Sequence, residues 1–216
     1  MLLQIANILN DADCTAICAA LDDEALWRDG AVTASGAARQ AKNNVQADPD
    51  APSVRGSLAK IESALRAHDV FAAAAQPVAF ARLLVSRYSP GMSYSDHVDA
   101  AYINGVRADL SFTLFLNDPT DYDGGALCIE NAGHTDEVKL PAGSVVLYPS
   151  TTIHRVEAVD RGIRIAAVGW IKSRVQSADA RAVLFDLERA IADAPNGPMR
   201  LRLNNIRNNL LRLFGA

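Results

Sequence analysis

The chain has 216 residues, half of them hydrophobic, and a formal net charge of −4 from 21 basic against 25 acidic side chains. That length and apolar content suffice for one well-packed domain with appended elements and argue against wholesale disorder. The mild acidity argues against a nucleic-acid or general membrane binder, which needs a basic face, and no apolar run approaches the ~20 residues that span a bilayer.

The opening "MLLQIANILNDAD" has no basic n-region and no small-residue cleavage site, so no signal peptide is expected. Within it "LLQIANIL" reads as a short strand. A helix follows, capped by Asn10 or Asp11, with Ile17, Leu21 and Leu26 on one face and Gly30 as its stop. Residues 31–53 are polar and closed by Pro49 and Pro52, which predicts a long loop. "SVRGSLAKIESALRAHDVFAAAA" has a period of about 3.6, with Ile61, Leu65 and Val70 among its apolar positions, which predicts a second helix.

After Pro77 the character changes to short segments rich in β-branched and aromatic residues, from "VAFARLLVSRY" to "GIRIAAVGWIKS", separated by turns such as "NDPTDYDGG" and "VDRG". Strands that do not alternate with helices mean an antiparallel sandwich or barrel. The chain closes with two helical stretches divided by Gly197-Pro198. The expected fold is therefore mostly β with flanking helices. Residues 1–77 form a supporting strand and helices, 78–176 the β core and 177–216 a helical extension, within one structural domain overall.

Three cysteines are too few for a secreted disulfide framework and suggest a reducing cytoplasm. Cys14 and Cys18 read as small apolar residues on a helix's inner face rather than as ligands, since no further Cys or His is nearby.

Of the four histidines, His68 reads as solvated among charged neighbours and His134 as part of a polar loop. His154 starts an apolar strand segment, where an imidazole needs a partner. In "SDHVDAAY", His97 and Asp99 stand at i and i+2, so on a strand they project from one face. Two histidines and a carboxylate form the set that holds non-haem Fe(II) on one face of its octahedron. Zinc accepts the same ligand types, so the three residues do not fix the metal. Arg164, ten positions after His154, heads a strand face shared with Ala166, Val168 and Trp170. A buried cation there needs an anion, and a carboxylate held bidentately is the strongest ordinary partner; the alternative is a solvent-facing arginine on the rim.

The order His97-x-Asp99, His154, Arg164 resembles the Fe(II)/2-oxoglutarate dioxygenase superfamily. More closely, "RYSPGMSYSDHVDAA", "RADLSFTLFLNDPTDYDGGAL", "VKLPAGSVVLYPSTTIHRVEAVDRGIRIAAVGWI" and the ending "NNLLRLF" are similar to bacterial PKHD-type hydroxylases, which are themselves similar to prolyl 4-hydroxylases. The resemblance implies a double-stranded β-helix, a jelly-roll variant. It makes His97, Asp99 and His154 the Fe(II) ligands and Arg164 the partner of the 2-oxoglutarate C5 carboxylate, with Tyr88 near the cosubstrate. Trp170 matches an aromatic of the pocket, with core packing as its alternative, and Leu127 and Phe115 are assigned to the pocket lining. Gly124-Gly125 matches a turn before a strand of the site. The resemblance further implies O2 as cosubstrate, L-ascorbate as reductant, and a substrate that is peptidyl proline or a small siderophore-related molecule. The loop "QAKNNVQ", with Lys42, Asn43 and Asn44, either lines the substrate entrance or is simply solvated.

Two rivals are weighed against this. A non-catalytic jelly-roll that senses iron or an organic acid would not need the full triad with Arg164. A zinc hydrolase would need a general base beside the metal, and no HExxH-like arrangement is present. In the last segment, Met199, Leu203, Ile206, Leu210 and Leu213 form a heptad-like stripe beside four arginines. Packing on its own barrel and lying on a membrane are both open; pairing with a second subunit is the preferred expectation.

Overall fold

The computed structural model describes residues 1–33 and 42–215. In chain order its first half holds β1 (Leu3–Ile5), α1 (Asp11–Ala20), β2 (Trp27–Asp29), β3 (Lys42–Asn43), β4 (Val45–Ala47), α2 (Pro52–Ala67), α3 (Asp69–Ala75), β5 (Pro77–Tyr88), β6 (Ser93–His97), β7 (Tyr102–Ile103) and β8 (Val106–Arg107). The second half holds β9 (Leu110–Phe115), β10 (Tyr122–Gly124), β11 (Leu127–Asn131), β12 (His134–Val138), β13 (Val145–Pro149), β14 (His154–Val156), β15 (Val159–Gly162), β16 (Arg164–Ser173), α4 (Ala178–Asp193) and α5 (Pro198–Phe214).

A seven-stranded sheet in the order β1-β13-β9-β16-β5-β4-β2 and a five-stranded sheet in the order β12-β11-β14-β6-β3 line a common cavity. This is the double-stranded β-helix, a jelly-roll. β9, "LSFTLF", shows why the larger sheet sits centrally: all six of its residues are buried, as a strand covered on both faces requires. Leu110, Phe112 and Leu114 join Ile17, Ile61, Leu65 and Phe71 in the helix-side core, and the Phe71 ring meets Phe112 edge-on at 5.8 Å. Each such side chain buried contributes about 1.5–3 kcal/mol. Ser111 and Thr113, which alternate with them, turn instead to the cavity.

Several elements depart from the sequence expectation. α1 ends at Ala20, not near Gly30. The Asp23 carboxylate accepts the Ala25 N–H at 2.9 Å and starts a separate 3-10 turn that leads into β2. The expected loop 31–53 contains β3 and β4, and β4 pairs with β5 through Val45↔Arg87 and Gln46↔Ser86. This stretch hides its strand character because the residues that alternate along it toward the cavity, Lys42, Asn44 and Gln46, are polar rather than apolar. The expected single second helix is two, broken at His68, whose extended ψ of 114° closes α2 and opens α3. His68 is half-buried with Nδ1 unpartnered, not solvated. "ENAGHTDE" is a hairpin turning at Ala132-Gly133, with His134 exposed on β12 and its Nε2 3.2 Å from Asp136. β1, β2 and β4 extend the larger sheet and β3 the smaller, so the first 77 residues contribute strands as well as helices. No described helix is long and apolar enough to cross a membrane.

Candidate active site

β6 ends at His97 and β14 begins at His154, and the two residues are direct antiparallel partners. Strand register therefore brings the imidazoles together, with ring centroids 4.2 Å apart. Asp99 lies beyond the end of β6 rather than on it, a departure from the strand geometry expected for "HVD". Its carboxylate nonetheless returns to the same spot, with Oδ2 3.7 Å from His154 Nε2. The ligating atoms of His97, Asp99 and His154 all lie within 4.8 Å of one another, and they are the one such cluster among the described residues.

The surroundings fix how these groups present themselves. His97 Nδ1 donates to the Ser95 carbonyl at 2.8 Å and His154 Nδ1 to the Thr152 carbonyl at 2.9 Å. Carbonyls only accept, so the proton sits on Nδ1 and each Nε2 offers a lone pair inward. Burial, then the neighbouring His154, lowers the His97 pKa to about 4, which keeps that lone pair free at neutral pH. Asp99 Oδ2 accepts from Ser111 Oγ at 2.6 Å, and Ser111 Oγ lies 2.8 Å from Ser150 Oγ. Tyr94 stacks on His97 at 3.6 Å, and Tyr148 meets His154 edge-on at 5.1 Å. Both rings are clamped before any metal arrives.

Arg164 begins β16 opposite Tyr88 on β5. It is 1% exposed, with its guanidinium carbon 5.3 Å from the centroids of both Tyr88 and Phe115. Its Nε and Nη2 have no partner, nor has the buried Tyr122 hydroxyl. An isolated buried cation is costly, so a site that keeps two of its donors open is shaped for an anion. Gly125, at φ +64°, allows this approach: a Cβ there would lie 3.2 Å from Arg164 Cδ and 2.9 Å from Val159 Cγ2. Burial raises the Tyr88 phenol, opposed by the adjacent Arg164 charge and the Asn44 side chain.

Tyr88, Leu127 and Trp170 line a cavity of about 270 Å³ together with the three clustered residues. Phe115 does not; as the fully buried last residue of β9 it packs under the Arg164 guanidinium instead. Arg164 itself sits behind the cavity wall, against Tyr88. Sequence reasoning missed Ser111, Ser150, Tyr94, Tyr148 and Tyr122, all of which touch or support the cluster or Arg164. Ser111 was legible in principle, as a small polar residue alternating with the apolar residues of "LSFTLF"; Ser150 and the tyrosines carry no pattern of their own. Of the polar loop, Lys42 and Asn44 line the cavity and Asn43 does not, while Gln40 and Ala41 lie outside the described residues.

The model of the 2OG-Fe(II) oxygenase superfamily matches residues 83–172. The chain is 44% identical over 218 residues to a PKHD-type hydroxylase of Parvibaculum lavamentivorans, covering 100% of this chain and 99% of that one. It is 49% identical over 162 residues to a PKHD-type hydroxylase of Acaryochloris marina, covering 75% of this chain and 74% of that one. Among solved structures, a Pseudomonas putida prolyl-4-hydroxylase superposes with a TM-score of 0.57 at 24% identity, covering 80% of this chain and 92% of that one. A prolyl hydroxylase from Trichoplax adhaerens, in complex with a hypoxia inducible factor peptide fragment, superposes with a TM-score of 0.60 at 14% identity, covering 89% and 87%.

Proposed function

Because the chain belongs to the PKHD-type hydroxylases of the 2OG-Fe(II) oxygenase superfamily, we propose that His97, Asp99 and His154 hold its Fe(II) and that Arg164 takes the far carboxylate of 2-oxoglutarate. The reaction it carries out on this reading is hydroxylation of a C–H bond in a peptidyl-proline-like or small-molecule substrate, siderophore-related compounds included. The residues present fit the metal: two imidazoles fixed through Nδ1 and one oriented carboxylate are the donor set of a facial triad. Iron so held supplies dioxygen activation, the chemistry that side chains cannot provide.

The chain's own groups do the rest. The Ser95 and Thr152 carbonyls hold the imidazole tautomers, and Ser111 with Ser150 orients Asp99. Arg164 anchors one end of the cosubstrate, with the buried Tyr122 hydroxyl as a further donor beside it. Leu127, Val156 and Trp170 present apolar surface that excludes water. The overall change balances: 2-oxoglutarate, O2 and R–H give succinate, CO2 and R–OH. One oxygen atom enters succinate and one enters the product, and the four electrons that reduce O2 come equally from cosubstrate and substrate.

The observation that carries this reading is the buried Arg164, with Nε and Nη2 unpartnered, behind a cavity that holds the His97–Asp99–His154 cluster. Isotope-labelled O2 tests it: one labelled oxygen should appear in succinate, and unlabelled succinate would refute it. Ascorbate serves as reductant on this reading, restoring Fe(II) after cycles that do not reach product. A cytoplasmic location is supported by the three free cysteines. The segment 78–176 carries the metal and cosubstrate residues, and 1–77 braces it and adds Lys42, Asn44 and Gln46 to the cavity wall. The extension 177–216 pairs with a second copy: α5 has no buried residue, and Met199, Leu201 and Leu213 are 62–74% exposed on it.

A further inference from the structure

We propose that the substrate of this cavity carries a carboxylate, bound at the outer end of the cavity by Lys42 and Arg82, with the Trp170 indole N–H as a further hydrogen-bond donor. The proposal rests on the dioxygenase reading above and adds the substrate's chemical class to it.

The two ends of the cavity are set by one strand pair. Arg164 faces Tyr88, and Trp170 faces Arg82, at opposite ends of the β5–β16 ladder. Six residues of strand at ~3.4 Å each separate the two ends by about 20 Å, so Arg82 stands apart from the pocket assigned to 2-oxoglutarate. Arg82 is positioned by Asn104, whose Oδ1 accepts from its Nη2 at 3.1 Å while Asn104 Nδ2 donates to the Ala81 carbonyl. Asn104 itself occupies the left-handed turn of the β7–β8 hairpin, at φ 52°. Lys42 approaches from the other sheet, its Nζ 5.3 Å from the Tyr94 ring that stacks on His97. Both cations line the cavity, and the one carboxylate among its described lining residues is Asp99, which the metal would neutralise.

Trp170 adds the independent observation. It lines the cavity directly across the ladder from Arg82, and its buried indole N–H has no hydrogen-bond partner. Two cations beside an unpartnered indole N–H make a donor-rich surface that suits an acid. At about 270 Å³ the cavity is small for a ligand site, and the cosubstrate takes part of it. The acid is either a small free acid or an acidic residue of a peptide.

The test uses the full-length protein with Fe(II), 2-oxoglutarate, O2 and ascorbate. The probes are free L-amino acids against their primary amides, and short peptides containing aspartate against the same peptides with asparagine. Succinate formation above the probe-free rate is the first readout. The second is equilibrium binding of the best acid to Mn(II)- and 2-oxoglutarate-loaded protein without oxygen. The expected result is a preference of about tenfold or more for acid over amide, the worth of one charge-assisted hydrogen bond. The arm that responds identifies the source. Lys42→Met and Arg82→Gln should each lower that preference about tenfold in both readouts, and Lys42→Arg should keep it. Wild-type protein that binds 2-oxoglutarate but prefers no acid over its amide overturns the proposal. So does a preference that survives both charge removals, or a 2-oxoglutarate affinity that collapses in Arg82→Gln. Wild-type protein that fails to bind 2-oxoglutarate refutes the dioxygenase reading itself and takes this proposal with it.

Discussion

Replacing Arg164 by Met removes the guanidinium while keeping most of the side chain's length. Arg164 is 1% exposed and two of its donors are unpartnered, so the free protein already bears the loss of their hydration. Two charge-assisted hydrogen bonds to a carboxylate would return about 1.5–3 kcal/mol each. Bonds to one carboxylate are not additive, so the lower end, about 3 kcal/mol or roughly a hundredfold in 2-oxoglutarate affinity, is the sounder expectation. The same substitution relieves an uncompensated buried cation, and apolar replacement of buried charge is neutral or stabilising by about 1–4 kcal/mol. The ligand-free variant should therefore melt no lower than wild type, and about 2–4 °C higher per kcal/mol gained. Thermal unfolding with and without cosubstrate reads both effects. At a hundred times its dissociation constant, 2-oxoglutarate adds about 2.7 kcal/mol to wild-type stability, whereas the same concentration should leave the variant nearly unmoved. A variant that melts well below wild type, or that 2-oxoglutarate still stabilises fully, would show that Arg164 is structural and that the anchor lies elsewhere.

Tyr122→Phe removes one unpartnered hydroxyl beside Arg164 and should weaken 2-oxoglutarate binding by about 0.5–1.5 kcal/mol with little change in folding, checked by calorimetric titration. Gly125→Ala places a Cβ at φ +64° against Val159 and Arg164, which should cost about 1–3 kcal/mol of stability in denaturant unfolding and weaken cosubstrate binding besides. Ser111→Ala frees Asp99 from its 2.6 Å hydrogen bond and should lower metal affinity about 10–100-fold in a competition titration while leaving 2-oxoglutarate binding to the loaded protein intact. Leu201→Glu with Leu213→Glu puts charges on the exposed face of α5 and should reduce the mass seen by light scattering without changing turnover; a monomeric wild type would end the pairing proposal.

Some of this molecule could be read from residue order and some could not. The jelly-roll strands after Pro77 were legible because they are short segments rich in β-branched and aromatic residues and their turns carry Gly, Pro, Asn and Asp. His97, Asp99 and His154 were legible as a donor set, although the strand reason given for Asp99 was wrong: β6 stops at His97, and the loop after it delivers the carboxylate. The β3–β4 segment was read as loop because its inward face is Lys42, Asn44 and Gln46, and a strand that buries polar groups leaves no hydrophobic signal. The break at His68 was hidden in a continuous run of helix formers. Tyr94, Tyr148 and Tyr122 reach the site only through tertiary packing, which no local pattern records.

The central claim is that His97, Asp99 and His154 bind Fe(II) for 2-oxoglutarate turnover. It is tested most directly by measuring succinate released from 2-oxoglutarate by the wild type and by the three single alanine variants, each with Fe(II) and O2 and each checked for native circular dichroism. The account predicts iron- and oxygen-dependent succinate from the wild type and none above background from His97→Ala, Asp99→Ala or His154→Ala. Near-wild-type turnover in any one of the three, or wild-type turnover that persists without iron, would contradict it.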